Sequence, residues 1–234
     1  MTIGDRGTAT SAPHASDNGY KITPAKISPR TVFAKRVVDI CLAIPAAIIS
    51  LPLIGVIALM VKWSSPGPVF YQQFRIGRVY DDRTEFFRIK KFRTMLDDPN
   101  QTRVGYGEYP EQTTRIGNFL RRSKLDELPQ LWNVIAGDMG IVGPRPLSAE
   151  HYGHFWQNKT DIWGRTYELR PGLTSPAEIS STGKKPGERR RSSFHADQFY
   201  HNTAAQKSAA QILTYDAVII YETAKLVLAR LRGR

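Results

Sequence analysis

The sequence is poor in cysteine and in acidic residues, and both shortages narrow what the protein can be. Its 234 residues contain one cysteine, Cys41, which excludes an intramolecular disulfide. With five histidines, no Cys/His zinc cluster of the usual spacing is present either. Aspartate and glutamate number 21 against 33 lysines and arginines, which gives a net charge of +12. This excess favours anionic partners: nucleic acid, acidic lipid headgroups or phosphorylated substrates.

The common nucleotide-binding signatures are also missing. The chain has no Walker A loop and no G-x-G-x-x-G after a predicted strand, so any phosphate site must be built from other residues. A length of 234 residues with 41% apolar residues fits one domain with tails, and two large independent domains are not expected.

One long apolar run is present, from Ile40 to Val61, in which 22 consecutive residues carry no charge. As a straight helix it would extend about 33 Å, close to the ~30 Å hydrocarbon thickness of a bilayer. The run starts well inside the chain and no small-residue cleavage site follows it. These features indicate a retained membrane anchor rather than a secretory signal peptide.

Two features of the anchor argue against a plain transmembrane helix. Pro52 lies at the centre of the run and removes a backbone hydrogen bond, so we predict a break at Ser50–Pro52. Basic residues flank both ends, so the positive-inside rule does not assign the ends to opposite faces. A re-entrant helical hairpin dipping into one leaflet fits best, and a kinked transmembrane helix or a buried soluble helix remain as alternatives.

Composition divides the chain into four segments. We expect a disordered tail over residues 1–29, the anchor over 30–63, a compact domain over 64–203 and an amphipathic, basic-ended helix over 204–234. That last helix either packs on the domain or lies on anionic lipid. Further elements are predicted from local patterns: a β-hairpin formed by Val69–Phe74 and Thr84–Phe92, helices over Ile116–Arg122 and Glu127–Ile135, and a loop carrying Gly183, Pro186 and Arg189–Arg191.

Three short motifs carry the candidate chemistry. In SKLDELPQ, Asp126 and Glu127 are adjacent carboxylates at the start of a predicted helix, where they are either reactive groups or a cap with a dipole partner. Arg145 stands between two prolines, which suits bidentate phosphate binding and equally suits a rigid surface turn. Lys91, in KKFRTM, is either a phosphate contact or the charge that protects an edge strand.

Together and in this order, the motifs resemble those of the bacterial sugar transferases known as monotopic phosphoglycosyl transferases, in their short form. The resemblance covers roughly Lys35 to Thr174. It is carried by the anchor with its central Ser-Leu-Pro and by five blocks: SPGPVFYQQFRIG, KKFRTM, SKLDELPQLWNVIAGDM, IVGPRP and RPGLT. After Thr174 the sequence departs from the family pattern, with Ser175-Pro176-Ala177-Glu178 and a long basic stretch, which leaves the sugar preference open.

The resemblance implies an α+β fold: a re-entrant membrane helix hairpin with a small, mainly helical cytoplasmic domain, a β-hairpin and interfacial amphipathic helices. It implies transfer of a sugar 1-phosphate from a nucleotide diphosphate sugar, expected to be a UDP-sugar, to polyprenyl phosphate at the cytoplasmic face of the bacterial inner membrane. A magnesium ion is implied as well. By position, Asp126 is the nucleophile and metal ligand, Glu127 its partner, and the phosphate-contacting residues are Lys91, Arg121 and Arg145.

Two other functions fit parts of the sequence. A membrane-anchored basic module that binds anionic lipid or nucleic acid accounts for the charge and the anchor, but gives Asp126 and Glu127 no role. Aromatic residues are not interleaved with the basic runs, so nucleic acid is not an expected partner. An inactive relative of the transferases is the other alternative, and intact Asp126, Glu127 and Arg145 argue against it.

Overall fold

The computed structural model describes residues 6–10, 26–80, 83–96, 112–149 and 168–232. It is a mixed α+β structure with a long apolar helix near the N-terminus, a β-hairpin and several further helices. Most of the predicted tail, residues 1–5 and 11–25, lies outside the described residues. Within that tail Arg6–Thr10 form strand β1, which differs from the disorder expected there.

Helix α1, Pro29–Ser64, contains the whole apolar run. Pro29 occupies its first turn, where a missing N–H costs no helical hydrogen bond. Pro45 and Pro52 both lie inside the helix, and the helical assignment continues through Ser50–Pro52 without the predicted interruption. The Ser50 hydroxyl donates to the Ala47 carbonyl at 3.0 Å, which satisfies one backbone group near the proline. By length and composition alone, α1 is long and apolar enough to cross a membrane.

One face of α1 packs on the rest of the protein along its length. Before Pro52, Ala43 and Ala47 belong to a cluster with strand β3 and helix α3, and after it Ile57 and Val61 belong to a second cluster with β3 and helix α2. In the most apolar 18-residue window of the helix, only 17% is buried inside the protein. In the described structure, several large apolar side chains of α1 are exposed, among them Ile48, Ile49 and Trp63.

The predicted hairpin is confirmed. Strand β2, Phe70–Val79, pairs antiparallel with β3, Arg83–Phe92, and an irregularity between Ile76 and Val79 shifts the register. Strand β1 pairs on the other edge of β3, which gives the sheet order β1-β3-β2. Alternating burial along β3 places Phe87 and Ile89 in the core beneath α1.

The two helices predicted after the hairpin are present in a modified form. Helix α2 spans Arg115–Ser123, close to the predicted range. The second element begins as a 3-10 helix, Leu125–Gln130, and becomes the α-helix α3 at Leu131–Ala136. Pro129 lies inside the 3-10 helix and, lacking an N–H, donates no helical backbone hydrogen bond.

A short parallel pair follows, with β4 at Gly140–Val142 and β5 at Gly172–Thr174. The strands approach closely where IVGPRP meets RPGLT: a Cβ on Gly172 would lie 2.2 Å from the Gly143 nitrogen. Both motifs therefore need glycine at this crossing, because no side chain fits between the two backbones.

Three helices complete the described chain: α4 at Pro176–Ser181, α5 at Pro186–Gln206 and α6 at Ala209–Leu231. The prediction of a loop through Arg189–Arg191 is wrong, because these residues belong to α5. Pro186 occupies the first turn of that helix, and arginine is a good helix former. The C-terminal helix starts at Ala209 rather than at residue 204, behind a capping box made by Ser208 and Gln211.

A buried polar cluster joins α1 to the C-terminal helices. The Lys35 ammonium of α1 donates to the Tyr200 hydroxyl of α5 at 2.7 Å and to the Asp216 carboxylate of α6. Tyr200 in turn donates to Asp216 at 2.5 Å. All three side chains are buried, so α1, α5 and α6 are held together by charge as well as by apolar packing.

Candidate active site

Asp126 and Glu127 follow a sharp turn of the backbone. Helix α2 is capped at its start by Thr114, whose hydroxyl accepts from the Gly117 N–H at 2.9 Å. It ends at Lys124, which adopts the left-handed conformation with φ 62° and ψ 10°. The 3-10 helix starts directly after this turn, so the two carboxylates lie in its first turn. Lys124, not Asp126, occupies the cap position, so the capping interpretation of Asp126 does not hold.

Glu127 is held by two lysines. Lys91, near the end of β3, donates to Oε1 at 2.7 Å, and Lys124 donates to Oε2 at 3.1 Å. Burial opposes ionisation of this carboxyl, but the two ammonium groups outweigh it and lower its pKa to about 2. Glu127 is therefore charged at every physiological pH, and both of its oxygens are occupied.

Asp126 has the opposite character. It is buried, and burial, followed by repulsion from the Glu127 charge, raises its pKa to about 6. Lys91, Lys124 and Arg121 counteract this increase only in part. Two neighbouring carboxyls thus ionise in separate pH ranges, an arrangement typical of enzymes that give two acids different tasks.

Arg121 lies on the last turn of α2, with its side chain on the surface of the site. Its Nε donates to the Thr94 hydroxyl at 2.9 Å, which ties α2 to the KKFRTM segment. Helix α2 reaches this segment because residue 117 is glycine: a Cβ there would lie 2.0 Å from the Thr94 carbonyl oxygen. The structure thus brings Lys91 and Arg121, both predicted from sequence, to the charge environment of Asp126.

The backbone of Arg145 contacts helix α5. Its backbone N–H donates at 2.8 Å to Asp197 of α5, which also accepts from the Ala177 N–H of α4 at 3.2 Å. The Arg145 side chain is exposed. Within the described part of the chain, the charges that act on the pKa of Asp126 are those of Glu127, Lys91, Lys124 and Arg121, and do not include Arg145.

Three residues of the site were not predicted from the sequence. Lys124 donates to the Glu178 carboxylate of α4 at 2.5 Å as well as to Glu127. Glu178 also receives Arg230, from the last turn of α6, at 3.3 Å. The signal available in the sequence was weak: a lysine two positions before Asp126, and an acid in the stretch after Thr174 that departs from the family pattern.

Of the two carboxylates in the dyad, Asp126 is the one that could bind a magnesium ion. The described residues contain no group of three or more His, Cys, Asp or Glu side chains able to hold a metal. Both Glu127 oxygens are engaged by lysines, which leaves the Asp126 carboxylate for a cation. Magnesium commonly binds through one or two carboxylates together with substrate phosphates, and this arrangement fits the residues present.

Comparison with known proteins gives a consistent result. The sequence profile described as "Bacterial sugar transferase" matches residues 30–230. The UDP-glucose:undecaprenyl-phosphate glucose-1-phosphate transferase of Xanthomonas campestris pv. campestris is 43% identical over 151 residues, which cover 64% of this chain and 30% of the relative. The UDP-N-acetylgalactosamine-undecaprenyl-phosphate N-acetylgalactosaminephosphotransferase of Aeromonas hydrophila is 30% identical over 208 residues, covering 88% of this chain and 46% of that protein.

A shorter relative, the exopolysaccharide production protein PSS of Rhizobium leguminosarum bv. phaseoli, is 34% identical over 150 residues, covering 62% of this chain and 72% of the relative. The chain spans less than half the length of the first two relatives. The profile match includes α1, the hairpin, the Asp126–Glu127 site and nearly all of α6. The chain belongs to the bacterial sugar transferase family.

Proposed function

We propose that the protein transfers a sugar 1-phosphate from a nucleotide diphosphate sugar to polyprenyl phosphate, the first step in building a surface glycan or exopolysaccharide. The observation that carries this proposal is the dyad: a buried Asp126 with a pKa of about 6 beside a Glu127 held by two lysines. The names of the relatives support a UDP-sugar as donor and undecaprenyl phosphate as acceptor.

The reaction proceeds in two displacements at one phosphorus. The ionised Asp126 carboxylate attacks the sugar-bearing phosphorus of the donor, an Asp–O–P bond forms, and the diphosphate bridge breaks to release the nucleoside monophosphate. A phosphate oxygen of the polyprenyl phosphate then attacks the same phosphorus. The Asp–O–P bond breaks, and the lipid diphosphate sugar and the free carboxylate result. The soluble product leaves before the lipid substrate reacts.

The cations around Asp126 make the first displacement feasible. Two unit charges about 4 Å apart repel by about 4 kcal/mol at an effective dielectric of 20, which corresponds to roughly a thousandfold in rate. Lys91 and Arg121 offset this repulsion when the diphosphate arrives, and Arg145, on its rigid turn, is assigned to the outer phosphate oxygens. A magnesium ion held by Asp126 and the diphosphate would supply further positive charge. Glu127 keeps Lys91 and Lys124 in place.

The anchor is assigned as re-entrant, with residues 64–203 as the catalytic domain on the cytoplasmic face. The supporting observation is that α1 packs on this domain both before and after Pro52. The Ala43–Ala47 cluster and the Ile57–Val61 cluster both contact Leu128, from the 3-10 helix that carries the dyad. Contact of both halves of α1 with one domain supports an anchor whose two ends lie on the same face of the bilayer.

The central experiment measures nucleoside monophosphate release by detergent-solubilised protein given polyprenyl phosphate and a panel of nucleotide sugars. We expect release with at least one donor, and no turnover in Asp126→Asn, which removes the nucleophile at nearly constant volume and leaves membrane binding intact. With donor alone, intact-mass spectrometry should find a phosphosugar adduct in the wild type and none in the variant. Normal turnover in Asp126→Asn would show that Asp126 is not the nucleophile. Membrane binding without release from any donor would favour the non-catalytic module.

A further inference from the structure

Glu178 connects the dyad to the end of the C-terminal helix. Its Oε2 accepts from the Lys124 ammonium at 2.5 Å, and its Oε1 accepts from Arg230 at 3.3 Å. Lys124 also donates to Glu127 at 3.1 Å. Four charged side chains, from the 3-10 helix, the turn before it, α4 and α6, therefore form one continuous chain of ion pairs.

We propose that Glu178 is a positioning residue for the dyad: it holds the Lys124 ammonium against Glu127 and ties that ammonium to the last turn of α6. Glu178 acts through Lys124 and does not touch the substrate. The proposal rests on the function proposed above, because it assigns Glu178 a part in that reaction.

The first argument is that Lys124 needs an anchor. A lysine ammonium is a compact charge on a flexible four-carbon stem, and it readily turns toward solvent when one partner alone holds it. The Lys124 side chain is 20% exposed, so a route to solvent exists. With carboxylates from two different elements on either side, the ammonium has one position that satisfies both. Its direction toward Glu127 is therefore fixed before the substrate arrives.

The second argument is that Glu178 is itself rigidly placed. It lies in the first turn of α4, where the Ser175 hydroxyl accepts from the Glu178 N–H at 3.3 Å and caps the helix. Its side chain is 8% exposed, and a buried carboxylate is stable only when it is paired. Two cations pair with it here, so the carboxylate has little freedom to follow Lys124 away from the dyad.

The third argument concerns α6. A separate bond reaches the same turn of this helix: Arg122 donates to the Arg230 carbonyl at 3.1 Å. The last turn of α6 is thus bonded to α2, which ends at Lys124, and to α4, which carries Glu178. Glu178 lies in the SPAE stretch that follows the RPGLT motif.

The experiment compares Glu178→Gln with Glu178→Asp, and uses Glu222→Gln as the matched control. Glu222 is an exposed acid of α6 that pairs with Lys225 one turn away. We expect Glu178→Gln to lower kcat at least tenfold, with the KM for the donor within twofold of wild type. Glu178→Asp should recover much of the loss because it keeps the charge, and Glu222→Gln should match wild type. A wild-type kcat in Glu178→Gln would overturn the proposal.

A double-mutant cycle tests whether Glu178 acts through Lys124. In a Lys124→Met background, adding Glu178→Gln should change kcat by less than twofold. The same tenfold loss in both backgrounds would mean that Glu178 acts independently of Lys124, and the proposal would be wrong.

A readout without activity separates this proposal from the proposed function. Acetylation of Lys124 by a lysine-specific reagent, followed by peptide mass spectrometry, reports whether the ammonium is held in the site. We expect labelling at least threefold faster in Glu178→Gln than in wild type or Glu222→Gln. Unchanged labelling overturns the positioning role even if the protein is an active transferase. If Glu178→Gln is labelled faster but the wild type releases no nucleoside monophosphate, the contact between Glu178 and Lys124 is supported and the proposed function is refuted.

Discussion

At the scale of single residues, two neighbouring carboxyls acquire different chemistry from their surroundings. Asp126 is buried with only a partial offset from nearby cations, and its pKa is about 6. Glu127 bonds two ammonium groups directly, and its pKa is about 2. The adjacent residues Asp126 and Glu127 therefore provide a nucleophile whose charged form its surroundings destabilise, and a fixed negative charge that positions the two lysines.

This difference predicts the effect of Lys91→Met on the pH dependence of the reaction. Because Asp126 must be ionised to attack, kcat/KM should fall tenfold per pH unit below about 6 in the wild type. The Lys91 charge lowers the pKa of Asp126, so removing it should move this acidic limb to higher pH. Rates of nucleoside monophosphate release between pH 5 and 9 measure the shift. Lys90→Met changes the neighbouring exposed lysine and should leave the pH of this acidic limb unchanged.

Arg145 is predicted to depend on the shape of its side chain. Arg145 lies between two prolines, its backbone N–H is bonded to Asp197, and its guanidinium is exposed. Arg145→Lys keeps the charge but not the bidentate fork, so we expect at least a tenfold loss of kcat/KM. Arg115→Lys, at an exposed arginine of α2, serves as the control. An effect of less than twofold would make Arg145 a solvated turn residue.

The residues of the site differ in how far the sequence could predict them. Lys91, Asp126 and Glu127 lie in motifs that the sequence shows directly. Arg121 lies two residues before the SKLDELPQ motif, and the structure brings all four residues together. Lys124 and Glu178 are 54 positions apart, and their contact depends on how α4 returns to the 3-10 helix. No local spacing encodes that return. The contact between Arg145 and Asp197 could not be predicted either, because these residues are also far apart in the sequence.

At the scale of elements, the close contact between α2 and the KKFRTM segment should be sensitive to one methyl group. Gly117→Ala would place a Cβ 2.0 Å from the Thr94 carbonyl oxygen, and the backbone must shift to accommodate it. We expect a loss of about 2–4 kcal/mol in stability and reduced activity, because Arg121 and the dyad follow α2. Gly55→Ala is the matched control, since nothing lies within 4 Å of its added Cβ. Thermal unfolding in detergent distinguishes the two variants.

Asp197 links α5 to the Arg145 turn and to α4, and it should make stability depend on pH. Burial raises its pKa to about 7 from 3.8, so the folded protein keeps a proton that the unfolded chain loses at lower pH. Stability from this group is therefore full below about pH 4 and is lost as pH rises toward 7. The loss between pH 5 and 7 is about 2 kcal/mol.

Melting temperatures across this pH range test the contribution of Asp197. Asp197→Asn has no charge to titrate, so its melting temperature should fall less between pH 5 and 7 than that of wild type. Glu222→Gln should keep the wild-type slope. Equal slopes for wild type and Asp197→Asn would show that Asp197 titrates outside this range.

The predicted elements were most accurate where the pattern is strictly local. The hairpin follows from alternating β-prone residues, and α2 follows from its cap and periodicity. The predicted loop through Arg189–Arg191 was wrong because a polar, basic run looks the same on a solvated loop and on the exposed side of a helix. The start of α5 is marked by Pro186, a residue that signals a turn and a helix N-terminus equally well.

At the scale of the whole molecule, α1 is both the anchor and part of the core. Its inner face packs on both sides of Pro52, while large side chains such as Ile49, 79% exposed, and Trp63, 81% exposed, point away from the protein. This distribution suits a helix that lies between lipid and domain along its length. The sequence predicted the apolar run, but its packing against β3 and α3 depends on tertiary contacts that the run itself does not specify.

The topology can be tested with a single cysteine at Ser16 in a Cys41→Ser background. If the anchor is re-entrant, the N-terminal segment is cytoplasmic, and a membrane-impermeant thiol reagent should not label it in intact cells. Replacing Ser50 and Pro52 with alanine and leucine restores continuous helical hydrogen bonding and favours a span of about 33 Å. Labelling should then appear. Labelling of the chain with Ser50 and Pro52 intact would establish a kinked transmembrane helix.

The buried cluster of Lys35, Tyr200 and Asp216 also sets an order of events during synthesis. Lys35 leaves the ribosome 165 residues before Tyr200 and 181 residues before Asp216. At roughly 5–20 residues per second, that interval lasts about 8 to 36 s. Throughout it, the Lys35 ammonium lacks both of these buried partners. The buried contact of α1 with α5 and α6 can therefore form only after α6 has been synthesised.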